Sequence, residues 1–360
     1  MTGLDETPFL RIERRGHLGV VILDRQDALN ALDRAMVRVL SRTLAAWRED
    51  PEIAGVLVRP APGRAFCAGG DVREIVSVRE REGPEAALGF FRDEYRLDWR
   101  VKRFPKPYIA FMDGITMGGG VGISIHGGVR IATENTVFAM PEAAIGFFPD
   151  VGGTFFLPRL PDRFGWYLGL TDERANGADC LMLGVATHYM PAARIAVLEE
   201  ELAAAPRERF RQVLGEVLAD LADDPGDAPL AALRPHVLDG FSTDDLFEIV
   251  RRLEAEKDAF GARTLEVLRQ RSPFSLRVIA RQLARGAELD FERCLQLEYR
   301  MVRRFLEGRE FAEGVRAMVV EKDRRPRWTW KSIEEVPGEE VERVFQPVPG
   351  RDLGFDWNDV

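Results

Sequence analysis

Apolar positions come in short bursts along the first half of the chain and at helical spacing along the second. Residues 9–24 (FLRIERRGHLGVVILD) predict two short strands around Arg15-Gly16. Asp33, a good helix cap, precedes Met36, Val39, Leu40 and Leu44, which share one face of a helix predicted to reach about Arg48. Residues 53–59 (IAGVLVR) form the apolar run of a buried parallel strand, and the Gly/Pro-rich residues 60–70 a loop. A helix follows over 84–103, with Phe90, Phe91, Tyr95 and Trp99 directed at a core. Residues 108–113 predict a strand, and the turn Gly118-Gly119-Gly120 opens the next segment, VGISIHGG. Residues 129–133 and 137–138 predict two more strands. Alternation of this kind up to about residue 190 predicts an α/β fold with a mostly parallel sheet. Helical periodicity dominates residues 191–310, interrupted by a loop at Pro225-Gly226-Asp227, and the last thirty residues read as an irregular strap.

Composition narrows the functional classes. A 360-residue chain that is 46% hydrophobic can bury an ample core, and a net charge of −9 argues against a nucleic-acid surface. No run of about 18 apolar residues predicts a membrane span. The three cysteines, Cys67, Cys180 and Cys294, are odd in number and far apart, which predicts neither a disulfide framework nor, with four scattered histidines, a metal cluster. The stretch MTGLDETPFLRIERRG lacks the features of a targeting segment. Five lysines against 45 arginines suggest a GC-rich bacterial genome, so a cytoplasmic location is expected.

Two glycine turns could carry chemistry. Phe66-Cys67-Ala68-Gly69-Gly70-Asp71 and Gly114–Gly122 each follow an apolar strand. Glycine lets a ligand approach the backbone closely. Where a helix begins, its free N–H groups point outward. Two converging N–H groups would make an oxyanion hole, each worth about 3–4 kcal/mol. Taken singly, either turn is equally a tight strand-to-helix connection. The pattern G-x-x-x-x-G-K-[ST] is absent, which excludes a P-loop.

A third motif, Met140-Pro141-Glu142 through Asp150-Val151-Gly152-Gly153, changes the picture. In this order and spacing the three motifs resemble the crotonase (enoyl-CoA hydratase/isomerase) superfamily. The stretches FCAGGDVREI, KPYIAFMDGITMGGGVGISIHG, FAMPEAAIGFFPDVGGTFFLPRL, GVATHYM, SPFSLRVIARQL, LEYRMV and FAEGVRAMVVEKDRRPRW further resemble its 3-hydroxyisobutyryl-CoA hydrolase family. The resemblance covers roughly residues 9–330. It implies a crotonase-like spiral core of repeated ββα units, the ClpP/crotonase arrangement, with an added helical C-terminal region. Residues 1–190 would form the CoA-thioester-binding catalytic core, and residues 191–360 a mainly helical region completing the fold.

The resemblance also implies roles. The amides of Gly70 and Gly119 match the oxyanion-hole positions, Glu142 the catalytic carboxylate, and Asp150 a second acid near the acyl group. Glu94 matches a further substrate-contacting acid. Substrate contacts are also expected at Ala28, in the turn that cradles the adenosine end of CoA, and at Ala68 and Asp71. Where the family has Arg-Pro-Lys before that turn, this chain has Arg25-Gln26-Asp27, so Arg25, Arg64 and Lys322 are candidates for the CoA phosphates. The implied reaction is hydrolysis of a short branched 3-hydroxyacyl-CoA, with CoA as part of the substrate and no metal or redox cofactor. Neither a nucleic-acid nor a membrane partner is expected, and a homo-oligomer stays open.

Hydration, the reaction of many superfamily members, needs two carboxylates around one water. Hydratases carry the first glutamate three residues past the central glycine of the second motif, and here that position is Gly122. Asp150 supplies an acid where a hydratase has glycine. Glu142 could serve as nucleophile or as general base. Asp150 could orient the substrate hydroxyl, assist the water, or cap the helix after it. His126, His188, Trp328 and Trp330 read as packing residues, and Cys67 as a small buried hydrophobe. The rival readings are enoyl-CoA hydratase/isomerase activity and a non-catalytic CoA-ester or RNA-binding role.

Overall fold

The computed structural model describes residues 7–347 and 352–358; the first six residues of the amino-terminal stretch and parts of the terminal strap lie outside them. Strands β1 (Leu10–Arg15) and β2 (Leu18–Leu23) form a hairpin, followed by helix α1 (Arg34–Glu49). The Asp33 side chain accepts from the Met36 N–H at 2.8 Å, which fixes the start of α1. The buried face of α1 carries Met36, Val37, Leu40 and Leu44, whereas Val39 is only half-buried.

Three ββ pairs then follow. They are β3 (Gly55–Pro60) with β4 (Ala65–Cys67), β5 (Tyr108–Met112) with β6 (Ile115–Met117), and β7 (Val129–Ala132) with β8 (Val137–Ala139). The first strand of each pair joins a six-stranded sheet, order β1-β2-β3-β5-β7-β9, closed by the short β9 (His188–Tyr189). The second joins a small parallel sheet, order β4-β6-β8. Beyond the β1–β2 hairpin the large sheet is parallel. Helices α2 (Val72–Glu82) and α3 (Pro84–Lys102) follow the first pair, α4 (Gly119–Ile125) the second, and α5 (Gly153–Phe156) the third. This is the spiral of ββα units expected from the resemblance. The segment 60–70, read as a loop, contains β4, which at three residues is too short to show a period of two.

Side chains alternate across the large sheet with that period. Val21, Leu23, Val56 and Val58 face the main core, and Leu18, Val20, Ile22 and Leu57 the other side. After α6 (Phe164–Thr171) and α7 (Gly177–Met182), helices α8 (Ile195–Ala204) and α9 (Phe210–Leu221) bury Leu198, Leu202 and Phe210 against that second face. Burial on both faces explains the continuous apolar runs of β2 and β3.

Helices α10 (Arg234–Gly240), α11 (Leu246–Glu256), α12 (Ala259–Gln270), α13 (Pro273–Gly286), α14 (Phe291–Glu307) and α15 (Glu310–Val315) extend the main core. The strap is not wholly irregular: Gly338–Val344 forms a further helix, α16, and buries Val341 and Val344. Trp330 stacks on Phe274 with ring centroids 5.2 Å apart.

Candidate active site

The small parallel sheet builds the site. Its strands lie side by side and point the same way, so their C-terminal ends deliver three segments to one place. β4 leads to Gly69-Gly70, β6 to Gly118-Gly119, and β8 to Met140 and the 3₁₀ turn Pro141–Ile145 that carries Glu142. Gly69 has φ of 116° and Gly118 of 47°, backbone that favours glycine. A Cβ on Gly119 would lie 3.2 Å from the Gly70 nitrogen, and one on Gly118 would lie 3.3 Å from Oε1 of Glu142. Among the described residues no turn or loop carbonyl accepts from the N–H of Gly70, and Gly119 opens helix α4, where the first N–H groups lack an intrahelical partner.

These segments line a cavity of about 260 Å³ that also receives Ala68, Glu94 and Asp150. Its walls include Phe90, Phe91, Phe147 and Phe311. Met318 and Val319, in the π-helical turn Arg316–Val320 that follows α15, complete its rim.

Three carboxyl groups enter this apolar space. Glu142, Asp150 and Glu94 are 5%, 5% and 2% exposed. Burial raises the Glu142 pKa well above the ordinary carboxylate range, and the charge of Asp150 adds to that rise. Burial, then Asp150, does the same to Glu94. Asp150 is pushed up to about 7 by burial, opposed by the hydrogen bond it accepts from Tyr95. Oε2 of Glu142 and Oε1 of Glu94 have no partner among the described residues.

Two expected substrate contacts stand outside this lining. Ala28 lies in the 3₁₀ turn Gln26–Ala28, next to Leu29, whose carbonyl accepts from the Ala68 N–H at 3.0 Å. The turn therefore abuts the cavity loop without entering it. The Asp71 carboxylate caps α2 through the Glu74 N–H and pairs with Arg25 at 2.8 Å. Arg25 also donates to the Ala31 carbonyl and lies over the Phe9 ring, so it braces the turn. Arg64 and Lys322 are exposed.

The capping role considered for Asp150 is not found. Helix α5 has no side-chain cap of its own. Glu298, from α14, instead accepts from the N–H groups of Gly152 and Thr154, both at 2.8 Å. His126 is buried and its Nε2 donates to the Val151 carbonyl at 2.8 Å; burial lowers its pKa to about 3, so it stays neutral. Burial pushes the Cys67 thiol up to about 12, which removes it as a nucleophile.

Sequence reasoning missed Asp98. It is wholly buried on α3, four residues after Glu94, and neither of its carboxylate oxygens has a partner among the described residues. A Cβ on Gly122 would lie 2.5 Å from Oδ1 of Asp98 and 2.9 Å from Cβ of Val151. The space beside residue 122 is therefore filled from α3 and from the Asp150 segment. A signal existed: Glu94 and Asp98 repeat at i, i+4 on the helix face that also carries Phe91 and Tyr95.

A family model described as enoyl-CoA hydratase/isomerase matches residues 18–345. The chain belongs to the enoyl-CoA hydratase/isomerase family. Two curated members named 3-hydroxyisobutyryl-CoA hydrolase, mitochondrial, span nearly all of it. The protein of Gallus gallus is 39% identical over 97% of this chain and 91% of its own length. That of Homo sapiens is 39% identical over 96% and 90%. Two solved structures superpose along nearly the whole length. A carnitinyl-CoA dehydratase from Mycobacterium thermoresistibile matches with TM-score 0.89 and 36% identity over 97% of this chain and 99% of that one. An enoyl-CoA hydratase from Rhodobacter sphaeroides 2.4.1 matches with TM-score 0.87 and 36% identity over 96% and 100%.

Proposed function

We propose that this chain is an acyl-CoA thioester hydrolase acting on a short branched 3-hydroxyacyl-CoA, above all 3-hydroxyisobutyryl-CoA, the ester of valine breakdown. The observation that carries the reading is the meeting of Glu142 and Asp150 in one small cavity beside the amides of Gly70 and Gly119. The full-length relatives named as hydrolases of this ester support it.

In the proposed reaction, water or the Glu142 carboxylate adds to the thioester carbon. Negative charge gathers on the carbonyl oxygen, where the two N–H groups would receive it. The C–S bond then breaks and CoA leaves as the thiolate, which takes up the proton given up by the attacking or anhydride-opening water. The products are the free acid, whose new oxygen comes ultimately from water, and the CoA thiol. A buried carboxylate with a raised pKa is a stronger base than one in solvent, which suits Glu142 to taking a proton from water. As a nucleophile it would form an anhydride that water opens, with the same products. Asp150 would accept a hydrogen bond from the 3-hydroxyl and fix the acyl group. Everything these steps require is a side chain, a backbone amide or water, so the proposal includes no resident metal or redox cofactor. Arg64 and Lys322 are the cations proposed for the CoA phosphates. A cytoplasmic location belongs to the proposal as well; the named relatives are mitochondrial enzymes.

Hydration or dehydration is the second reading. Glu94 brings a third carboxyl beside Glu142, and the two structural neighbours carry dehydratase and hydratase names. Thiol release from 3-hydroxyisobutyryl-CoA, followed with DTNB, is compared with loss of enoyl absorbance from crotonyl-CoA. The hydrolase reading expects rapid thiol release and little absorbance change. The reverse pattern would overturn it.

A further inference from the structure

The segment that carries Asp150 adopts a backbone its sequence does not favour. Val151 has φ of 50°, a left-handed conformation rare for a β-branched residue, and Gly152 follows at 86°. Such a conformation persists only when its surroundings determine it. Side chains from three helices, and one from the residue that ends a fourth, do so here. Tyr95 of α3 donates to Oδ2 of Asp150, and His126, just after α4, donates to the Val151 carbonyl. From α13, Nε2 of Gln282 donates to the Pro149 carbonyl at 2.6 Å and to Oγ1 of Thr154 at 2.8 Å. From α14, Glu298 accepts the N–H groups of Gly152 and Thr154.

Gln282 and Glu298 are wholly buried and lie outside the cavity lining. Packing alone would be better served there by apolar side chains, since a buried carboxylate is costly to desolvate. What an apolar residue could not supply is the pair of acceptors for the amides at the start of α5. Both residues fall in stretches that carry the family resemblance, SPFSLRVIARQL and LEYRMV, and the chemistry at Glu142 leaves both without a role.

We infer that Glu298 and Gln282 are positioning residues for the reaction: they hold residues 149–154 in the turn that presents the Asp150 carboxylate to the cavity. The helical region after residue 190 thus completes the catalytic site as well as covering the core. This rests on the reading of Asp150 as the group that fixes the substrate hydroxyl.

A double-mutant cycle on the full chain tests it. Glu298→Gln keeps the shape but offers one acceptor oxygen to two N–H groups. Its kcat on 3-hydroxyisobutyryl-CoA is expected to fall roughly 10–100-fold, since small misplacements near a reacting centre cost about that much. KM should change less than about threefold, and the melting temperature should stay above the assay temperature. On an Asp150→Asn background the same change should cost less than about threefold, because the group it positions is already disabled. A loss that multiplies on that background, or an unchanged kcat in Glu298→Gln, overturns the inference. Should Glu298→Gln not fold, Gln282→Met removes both donated bonds at similar volume and runs through the same cycle with the same outcomes. If Asp150→Asn alone leaves kcat intact, the reading of Asp150 fails first, and nothing is left to position.

Discussion

Tyr95 donates its phenolic O–H to Oδ2 of Asp150 at 2.7 Å, and both side chains are buried. The bond engages one carboxylate oxygen of a side chain that lines the cavity. It also favours the charged form of Asp150 against burial. Tyr95→Phe should therefore raise the Asp150 pKa above about 7. If the carboxylate form binds the substrate hydroxyl, the acidic limb of kcat/KM moves to higher pH. A hydrogen bond to a charged group is worth about 1.5–3 kcal/mol, so kcat/KM at neutral pH should fall by about one to two orders of magnitude. A pH–rate profile of the variant checks this; an unmoved limb contradicts it.

Asp98 is a buried acid without a partner among the described residues, so its removal should be favourable. Burial, then the charges of Glu94, Asp150 and Glu298, raise its pKa well above the ordinary value. The folded protein thus holds a proton that the unfolded chain releases near pH 4. The stability that comes with this proton is complete below about pH 4 and is lost as pH rises through the folded pKa. Asp150, at about 7, acts with the same sign. Asp98→Asn should stabilise the protein more at pH 8 than at pH 5, because the cost of holding this buried acid grows as pH rises toward its folded pKa. Chemical denaturation at the two pH values measures the difference, and equal or reversed effects contradict it.

Gly122 faces the same acid from α4. A methyl group there would press on Oδ1 of Asp98 and Cβ of Val151. Gly122→Ala should cost roughly 1–3 kcal/mol by overpacking and lower kcat by disturbing the Asp150 segment. On an Asp98→Ala background the same substitution should cost less, since the nearer of the two crowding groups is gone and only Cβ of Val151 remains. Denaturation midpoints of the four proteins settle it; equal costs in both backgrounds would mean that the crowding lies elsewhere.

The elements that can be read from the sequence are those whose signal is local. Glycine runs after apolar strands mark the turns at Gly70 and Gly119, and the 3.6-residue period of residues 84–103 marks α3. Glu142 and Asp150 are legible only through the motif that contains them, because nothing near them in sequence says that they enter one cavity. Glu298 and Gln282 lie more than 120 residues from the segment they hold. Their bonds are made by tertiary packing, which no periodicity reveals. Asp98 is an intermediate case: its place on the apolar face of α3 is visible, but the glycine opposite it on α4 is not. Strand β4 escapes notice because three residues cannot show alternation.

Glu142 sits where the ends of the three short parallel strands meet. Its replacement by glutamine keeps the shape of the side chain and removes both its charge and its basicity. Thiol release from 3-hydroxyisobutyryl-CoA is then measured beside calorimetric binding of the same ester. Glu142→Gln should lower turnover by at least about three orders of magnitude while the ester binds within a few-fold of the parent affinity. Turnover within about tenfold of the parent would contradict the assignment of thioester hydrolysis to this carboxylate.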